Sequence, residues 1–188
     1  INLDPEDELV DVKRSEGQGT VLLATREGRA IRFHEEKVRS IGRSGRGVAS
    51  VVLEKGDQVV SAELPSEDST ILTVCEKGYG KRTKVSEYSI QGRRGKGRIN
   101  IRITQKNGKV VSAQEVQEEN ELIVITSEGK SIRLKVSEIP VIGRITQGVR
   151  LIDLSDGDRV VATALVGANN DEDEGLVELD VGDENEAL

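Results

Sequence analysis

Tyr79–Gly80–Lys81–Arg82–Thr83, running on to Gln91–Gly92–Arg93–Arg94–Gly95–Lys96–Gly97, is the most basic stretch of the chain and part of a unit that occurs three times. Gly42, Gly92 and Gly143 each open a Gly–Arg–x–x–x–Gly loop, which Gly47, Gly97 and Gly148 close at spacings of 50 and 51 residues. Other positions keep step. Gly28, Gly78 and Gly129 each follow a Glu or a Lys, and Arg32, Arg82 and Arg133 come four residues later. Val60, Val111 and Val161 fall near the end of each unit. A period near 50 residues with this internal likeness is the mark of a repeat architecture.

Within the first unit, Thr20–Thr25 is β-branched and apolar and is expected to be a strand. Glu27–Gly28 supplies a hairpin turn, since glycine accepts the positive φ of a tight turn. Ala30–Phe33 returns as a second strand. After the Gly42–Gly47 loop, Val48–Leu53 and Gln58–Glu63 read as third and fourth strands around a Lys55–Gly56–Asp57 turn. The second unit repeats this order with one extra residue at Lys106–Asn107–Gly108, and the third ends with Arg159–Leu165. Helical periodicity is weak throughout; only Val85–Tyr88 and its counterparts fit a short turn.

The expected fold is therefore all-β, with propeller-type blades of four short antiparallel strands. The boundaries are 1–19 for the end of a preceding blade, 20–65, 66–116 and 117–166 for three blades, and 167–188 for an acidic disordered tail. Three blades do not close a ring of ordinary size, which needs about four to eight. Ile1 opens inside a continuing pattern and the chain has no Met, so the sequence reads as a piece of something longer.

Composition narrows the function. Aromatics are 2% and Trp is absent, so the core must rest on Val, Ile, Leu and Ala. The single Cys75 excludes a disulfide framework and a zinc cluster, and points to an intracellular setting. No apolar stretch approaches the ~20 residues of a membrane span. The net charge of −7 is an average of unlike parts. Residues 167–188 carry nine acids and no base, and residues 1–8 carry four acids; residues 9–166 hold 27 bases against 21 acids. A basic body with acidic ends points to a polyanionic partner, with the tail as a competitor for the same surface or a solubilising segment.

The glycine-rich loops have the spacing of a nucleotide-binding loop but lack its Lys–Ser/Thr ending, since Val48 and Arg98–Ile99 stand there. Flexible glycines with Arg and Lys suit a DNA backbone better, because they neutralise phosphates without reading bases. Arg43, Arg46, Lys81, Arg82, Arg93, Arg94, Lys96, Arg98 and Arg144 are the expected contacts, with the third loop weakest. Phe33, Tyr79 and Tyr88 are too few to stack a single strand, so the expected partner is duplex DNA. Catalysis finds no constellation: His34 is the only histidine, Tyr88 occupies an apolar repeat position, and the tail acids lack calcium-loop spacing. No catalytic residue, cofactor site or metal site is expected in this chain. A protein-interaction propeller is the alternative.

Gly78–Tyr79–Gly80–Lys81–Arg82–Thr83, Val136–Ser137–Glu138–Ile139, Gly143–Arg144 with Thr146–Gln147–Gly148–Val149, and Gly56–Asp57 with Val59–Val60–Ser61 resemble the C-terminal DNA-wrapping domain of the bacterial DNA gyrase A protein. The resemblance covers 1–166 and fits the last three of six blades plus the acidic tail. It implies a β-pinwheel, in which neighbouring blades exchange strands, and a basic rim that wraps duplex DNA. Gln91–Gly–Arg–Arg–Gly–Lys–Gly97 resembles, in shifted form, the family's Gln–Arg–Arg–Gly–Gly–Lys–Gly box on the first blade. The further implications are a type II topoisomerase that uses ATP and Mg outside this chain, and an A2B2 assembly with the rest of the gyrase A protein and with gyrase B. A bacterial cytoplasmic, nucleoid-associated location is implied as well. The related topoisomerase IV protein is the weaker match.

Overall fold

The computed structural model describes residues 1–167, and the expected acidic tail, Gly167 apart, lies outside them. Each repeat opens with a hairpin. β1 (Thr20–Thr25) pairs antiparallel with β2 (Arg29–His34), with Thr20 opposite His34 and Ala24 opposite Ala30. β3 (Val59–Glu63) lines the other side of β1. In the second repeat β4 (Thr70–Cys75) lies between β5 (Tyr79–Lys84) and, after the short β6 (Arg98–Ile99), β7 (Val110–Val116). In the third, β8 (Glu121–Thr126) lies between β9 (Ser131–Lys135) and, after the short β10 (Val149–Arg150), β11 (Val160–Val166).

The short strands leave their own repeats. β6 pairs with β2 of the first sheet, and β10 pairs with β5 of the second, giving the orders β3-β1-β2-β6 and β10-β5-β4-β7. This is the strand exchange of a pinwheel. It corrects the expectation that all four strands of a blade are consecutive in sequence: Val48–Leu53 joins no sheet of its own repeat, and Val51 only bridges to Gly95. The glycines that close the loops explain the exchange. Gly97 and Gly148 have φ of 69° and 77°, and a β-carbon there would stand 2.6 Å from Ala30 O or Gly80 O. Only a residue without a side chain lets the exchanged strand start so close to its neighbour's backbone. The third sheet, β11-β8-β9, has three strands among the described residues. Residues 1–19, expected to be the end of a preceding blade, form no ladder; Asn2 N instead donates to Gly45 O at 3.0 Å and Lys13 pairs with Glu63 at 3.0 Å.

The core lies between blades. Leu22, Ala24, Ala30, Ile71, Val85, Tyr88 and Ala113 join the first blade to the second. Leu72, Val74, Val116, Leu122, Val124, Val136, Ile139, Ile152 and Val160 join the second to the third. Each fully buried aliphatic contributes about 1.5–3 kcal/mol, so aromatics are not needed to hold thin sheets together. Tyr88 belongs to this packing, and its hydroxyl donates to Asn100 Oδ1 at 2.6 Å while Asn100 Nδ2 donates to Thr73 Oγ1. Cys75 is buried, which pushes its thiol up to about 12. Single 3-10 turns follow β2, β5 and β9 (Glu35–Lys37, Val85–Glu87 and Val136–Glu138), where short turns were expected. Among the described residues no helix is long and apolar enough to cross a membrane.

Candidate nucleic-acid interface

The exchange that builds the blades also sets the glycine-arginine loops in succession. Arg94 N donates to Ser50 O at 2.8 Å, and Val52 N donates to Gly95 O at 3.0 Å. The second loop therefore packs along the segment that leaves the first. Arg94 sits at φ 66°, and is the non-glycine residue held in the left-handed region among those described. That conformation costs about 1 kcal/mol or more for a side-chain-bearing residue. Backbone bonds on both sides hold it there, with the guanidinium in solvent.

Arg43, Arg46, Arg94, Lys96 and Arg98 are exposed. Their carboxylate partners are weak: Arg46 lies 3.2 Å from the exposed Asp4, and Lys96 lies 4.0 Å from the exposed Glu54. Surface pairs of this kind are worth about 0–1 kcal/mol and release readily to a polyanion.

The other expected residues are placed differently. Arg93 and Arg144, at matching positions of their loops, are partly buried and reach back to the preceding repeat. Arg93 Nη1 donates to Ala49 O at 2.9 Å, and Arg144 Nη1 donates to Ile99 O at 2.8 Å. In the second and third loops the arginine of the Gly–Arg motif is thus a tie between units, while its counterpart Arg43 is exposed. Part of the Arg144 guanidinium, Nε, is buried with no protein partner.

Lys81 and Arg82 do not belong to an exposed surface at all, and this corrects their expected place among the contacts. Lys81 is fully buried, and its ammonium donates to Gly143 O and Arg144 O, both at 2.7 Å. Burial lowers its pKa to about 8, with Arg144 adding to the shift and Glu87 opposing it. Arg82 is 4% exposed; its Nε donates to Ile139 O at 2.6 Å and its Nη1 reaches Glu118 at 2.6 Å. Arg32 repeats the arrangement one unit earlier, holding Thr20 Oγ1, Val85 O and Glu67. Both bind the 3-10 turn of the next repeat, so they clasp blade to blade.

Sequence reading missed Arg29 and Arg102. Arg102 is exposed, and Arg29 reaches the second loop at Gly97 O, 3.5 Å away. The only signal for Arg29 is the register that sets it opposite Ile99, which is invisible until the exchanged strand is known. Among the described residues there is no group of three or more His, Cys, Asp or Glu side chains that could hold a metal ion.

The family model "DNA gyrase C-terminal domain, beta-propeller" matches residues 19–66, 69–117 and 120–166. The DNA gyrase A protein of Escherichia coli (strain K12) is 41% identical over 174 residues, which is 93% of this chain and 20% of that protein. The DNA gyrase A protein of Buchnera aphidicola is 41% identical over 162 residues, 86% of this chain and 19% of that protein. The chain thus spans about a fifth of the length of these curated relatives. A solved C-terminal domain of DNA topoisomerase IV superposes with a TM-score of 0.84 at 27% identity, covering 89% of this chain and 52% of that one. A solved DNA gyrase A C-terminal domain gives 0.72 at 28% identity, covering 79% and 50%.

Proposed function

Because the chain belongs to the DNA gyrase C-terminal β-propeller family, we propose that it binds and bends duplex DNA along its successive glycine-arginine loops without reading sequence. The observation that carries this reading is the exposure of Arg43, Arg46, Arg94, Lys96 and Arg98 on two loops that the fold sets in sequence. Each base neutralises a phosphate and releases a counterion, while the flat loop backbone lets a rod approach closely. Arg93 and Arg144 contribute by fixing the loops, and Lys81 and Arg82 by holding the blades at a constant pitch. Curvature of the basic path follows from that pitch, and bending is its consequence for the duplex.

In a longer parent the same path would present a wrapped segment to a type II topoisomerase that supercoils DNA with ATP, in assembly with the remainder of the gyrase A protein and with gyrase B. The matching family model and the gyrase A relatives at 41% identity support gyrase A as the kind of parent. The test is fluorescence anisotropy of a labelled duplex of about 40 base pairs, with donor and acceptor dyes on its ends. Binding that brings the ends together and weakens by roughly several hundred-fold between 50 and 200 mM salt is expected for about five phosphate contacts. Binding that ignores salt, or that favours a single strand, would contradict the proposal.

A further inference from the structure

The tips of the three glycine-arginine loops differ. The third residue of each, counted from the opening glycine, is Ser44, Arg94 and Ile145, and the fifth is Arg46, Lys96 and Gln147. At the fifth position Arg46 stands 3.2 Å from Asp4 and Lys96 4.0 Å from Glu54, whereas Gln147 Oε1 accepts from Thr104 Oγ1 at 3.3 Å. The one base of the third loop, Arg144, is turned back to Ile99 O. That loop therefore has no exposed base among the described residues. What it presents is Ile145, 56% exposed, the most exposed large aliphatic of the three repeats.

A single exposed aliphatic is ordinary on a protein surface, but the support beneath this one is not. Three residues past the hairpin glycines stand Ile31, Lys81 and Ile132. Ile31 meets the second loop by apolar contact, its Cδ1 lying 3.5 Å from where a β-carbon on Gly95 would be. Lys81 instead brings a buried ammonium under the third loop, donating to Gly143 O and Arg144 O at 2.7 Å each. A charge taken out of water costs stability, and here it is spent on a loop that exposes no base. Further bonds grip the same loop. Thr83 Oγ1 donates to Ile142 O at 2.8 Å, Thr146 Oγ1 to Gly143 O at 2.9 Å, Arg144 N to Glu87 Oε2 at 3.3 Å, and Arg102 N to Thr146 O at 2.9 Å. Ile142, Gly143, Arg144 and Thr146 are thus all held, and Ile145 is carried into solvent between them.

We infer that Ile145 is a wedge that enters a base step of the bound duplex and kinks it where the third loop meets the DNA path. This inference rests on the DNA-binding reading above and adds to it a place where bending is concentrated. Isoleucine is among the side chains that insert between base steps from the minor groove, partly unstacking them. The exposed bases of the first two loops draw the duplex in, and the cost of unstacking is offset by the rim surface that a kinked duplex can reach. A wedge works best when little freedom is left to lose on insertion, which makes Lys81 a positioning residue for Ile145. The steps it would favour are those cheapest to unstack, pyrimidine–purine steps such as TA and CA/TG. Bending then has preferred places along a duplex although no base edge is read.

The experiment compares the whole chain with Ile145→Ser, which installs the residue of the first loop, and with Ile145→Leu. Each is titrated onto the end-labelled duplex of about 40 base pairs, fully paired or with one central mismatch that lowers the cost of unstacking at that place. The native chain should bind the mismatched duplex tighter by roughly fivefold or more and bring its ends closer together. Ile145→Ser should lose that preference and leave the ends further apart, while its slope of log K against log salt stays native because no charge has changed. Ile145→Leu should keep both the preference and the bend. A native chain with no preference for the mismatch, or a preference and bend that persist in Ile145→Ser, would overturn the wedge and leave salt-dependent DNA binding standing. Failure of the native chain to bind either duplex in a salt-dependent way would overturn the DNA-binding reading itself, and the wedge with it.

Discussion

Arg82 and Arg94 both lie in the most basic stretch of the chain, and their environments are opposite. Arg82 is 4% exposed and joins the main chain and Glu118 of the next repeat. Arg94 stands in solvent on a loop whose backbone is pinned from both sides. The difference teaches that a basic segment in a strand-exchanging fold serves two ends. Bases on the strands facing a neighbour hold blades together, while bases at loop tips stay exposed to solvent. Charge counted along the sequence cannot separate the two, because the neighbour that buries Arg82 is some 55 residues away.

The largest expected effect comes from breaking the clasp. Arg82→Ala leaves Ile139 O without its donor in a buried place and should cost about 1.5–3 kcal/mol, read as a lower urea midpoint. The pair with Glu118 adds little, since that carboxylate is largely exposed. Arg82→Lys should not restore stability, because an ammonium cannot span the two directions the guanidinium serves.

Lys81 sharpens the comparison through pH. Its folded pKa of about 8 lies below the ordinary 10.5. Between those values the unfolded chain keeps a proton that the folded chain has released, so the Lys81 contribution to stability rises with pH through that window. Below about pH 8 the penalty of the buried ammonium is fully present. Urea midpoints of the native chain measured against Lys81→Met should therefore differ by a constant amount from pH 6 to 7.5. From pH 8 to 10 the difference should move in favour of the native chain.

A smaller effect is expected where strain and charge meet. Arg94→Gly relieves the left-handed conformation, so stability should hold or rise by up to about 1 kcal/mol. The slope of log K for DNA against log salt should at the same time flatten by about 0.9. The smallest is Asp4→Asn, which frees Arg46 at the rim. Stability should change by less than about 0.5 kcal/mol, with DNA affinity slightly higher.

The fold was legible to the extent that it is periodic. The Gly28, Gly78 and Gly129 turns, the β1–β2, β4–β5 and β8–β9 hairpins, and the short turns at Glu35, Val85 and Val136 all follow from local rules of glycine placement and β-branched content. The pinwheel exchange was carried by resemblance to a family, because Val48–Leu53, Arg98–Ile99 and Val149–Arg150 look alike as strands in sequence, although only the last two join a sheet, each that of the preceding repeat. Pairing is a long-range property, set where Gly97 and Gly148 touch Ala30 O and Gly80 O. The site was legible in part for the same reason. Loop-tip bases such as Arg94 and Lys96 are exposed by virtue of their turn, whereas Lys81 and Arg82 are buried by elements that no local pattern announces.

The most direct test of the division between clasp and rim is the salt dependence of duplex binding for Arg94, Lys96 and Arg98 changed together to Ala, beside the native chain. The expected result is an unchanged urea midpoint and a slope smaller by about 0.9 for each phosphate contact removed. An unchanged slope, or a slope that falls only as the fold loosens, would contradict the assignment of these three side chains to the DNA path.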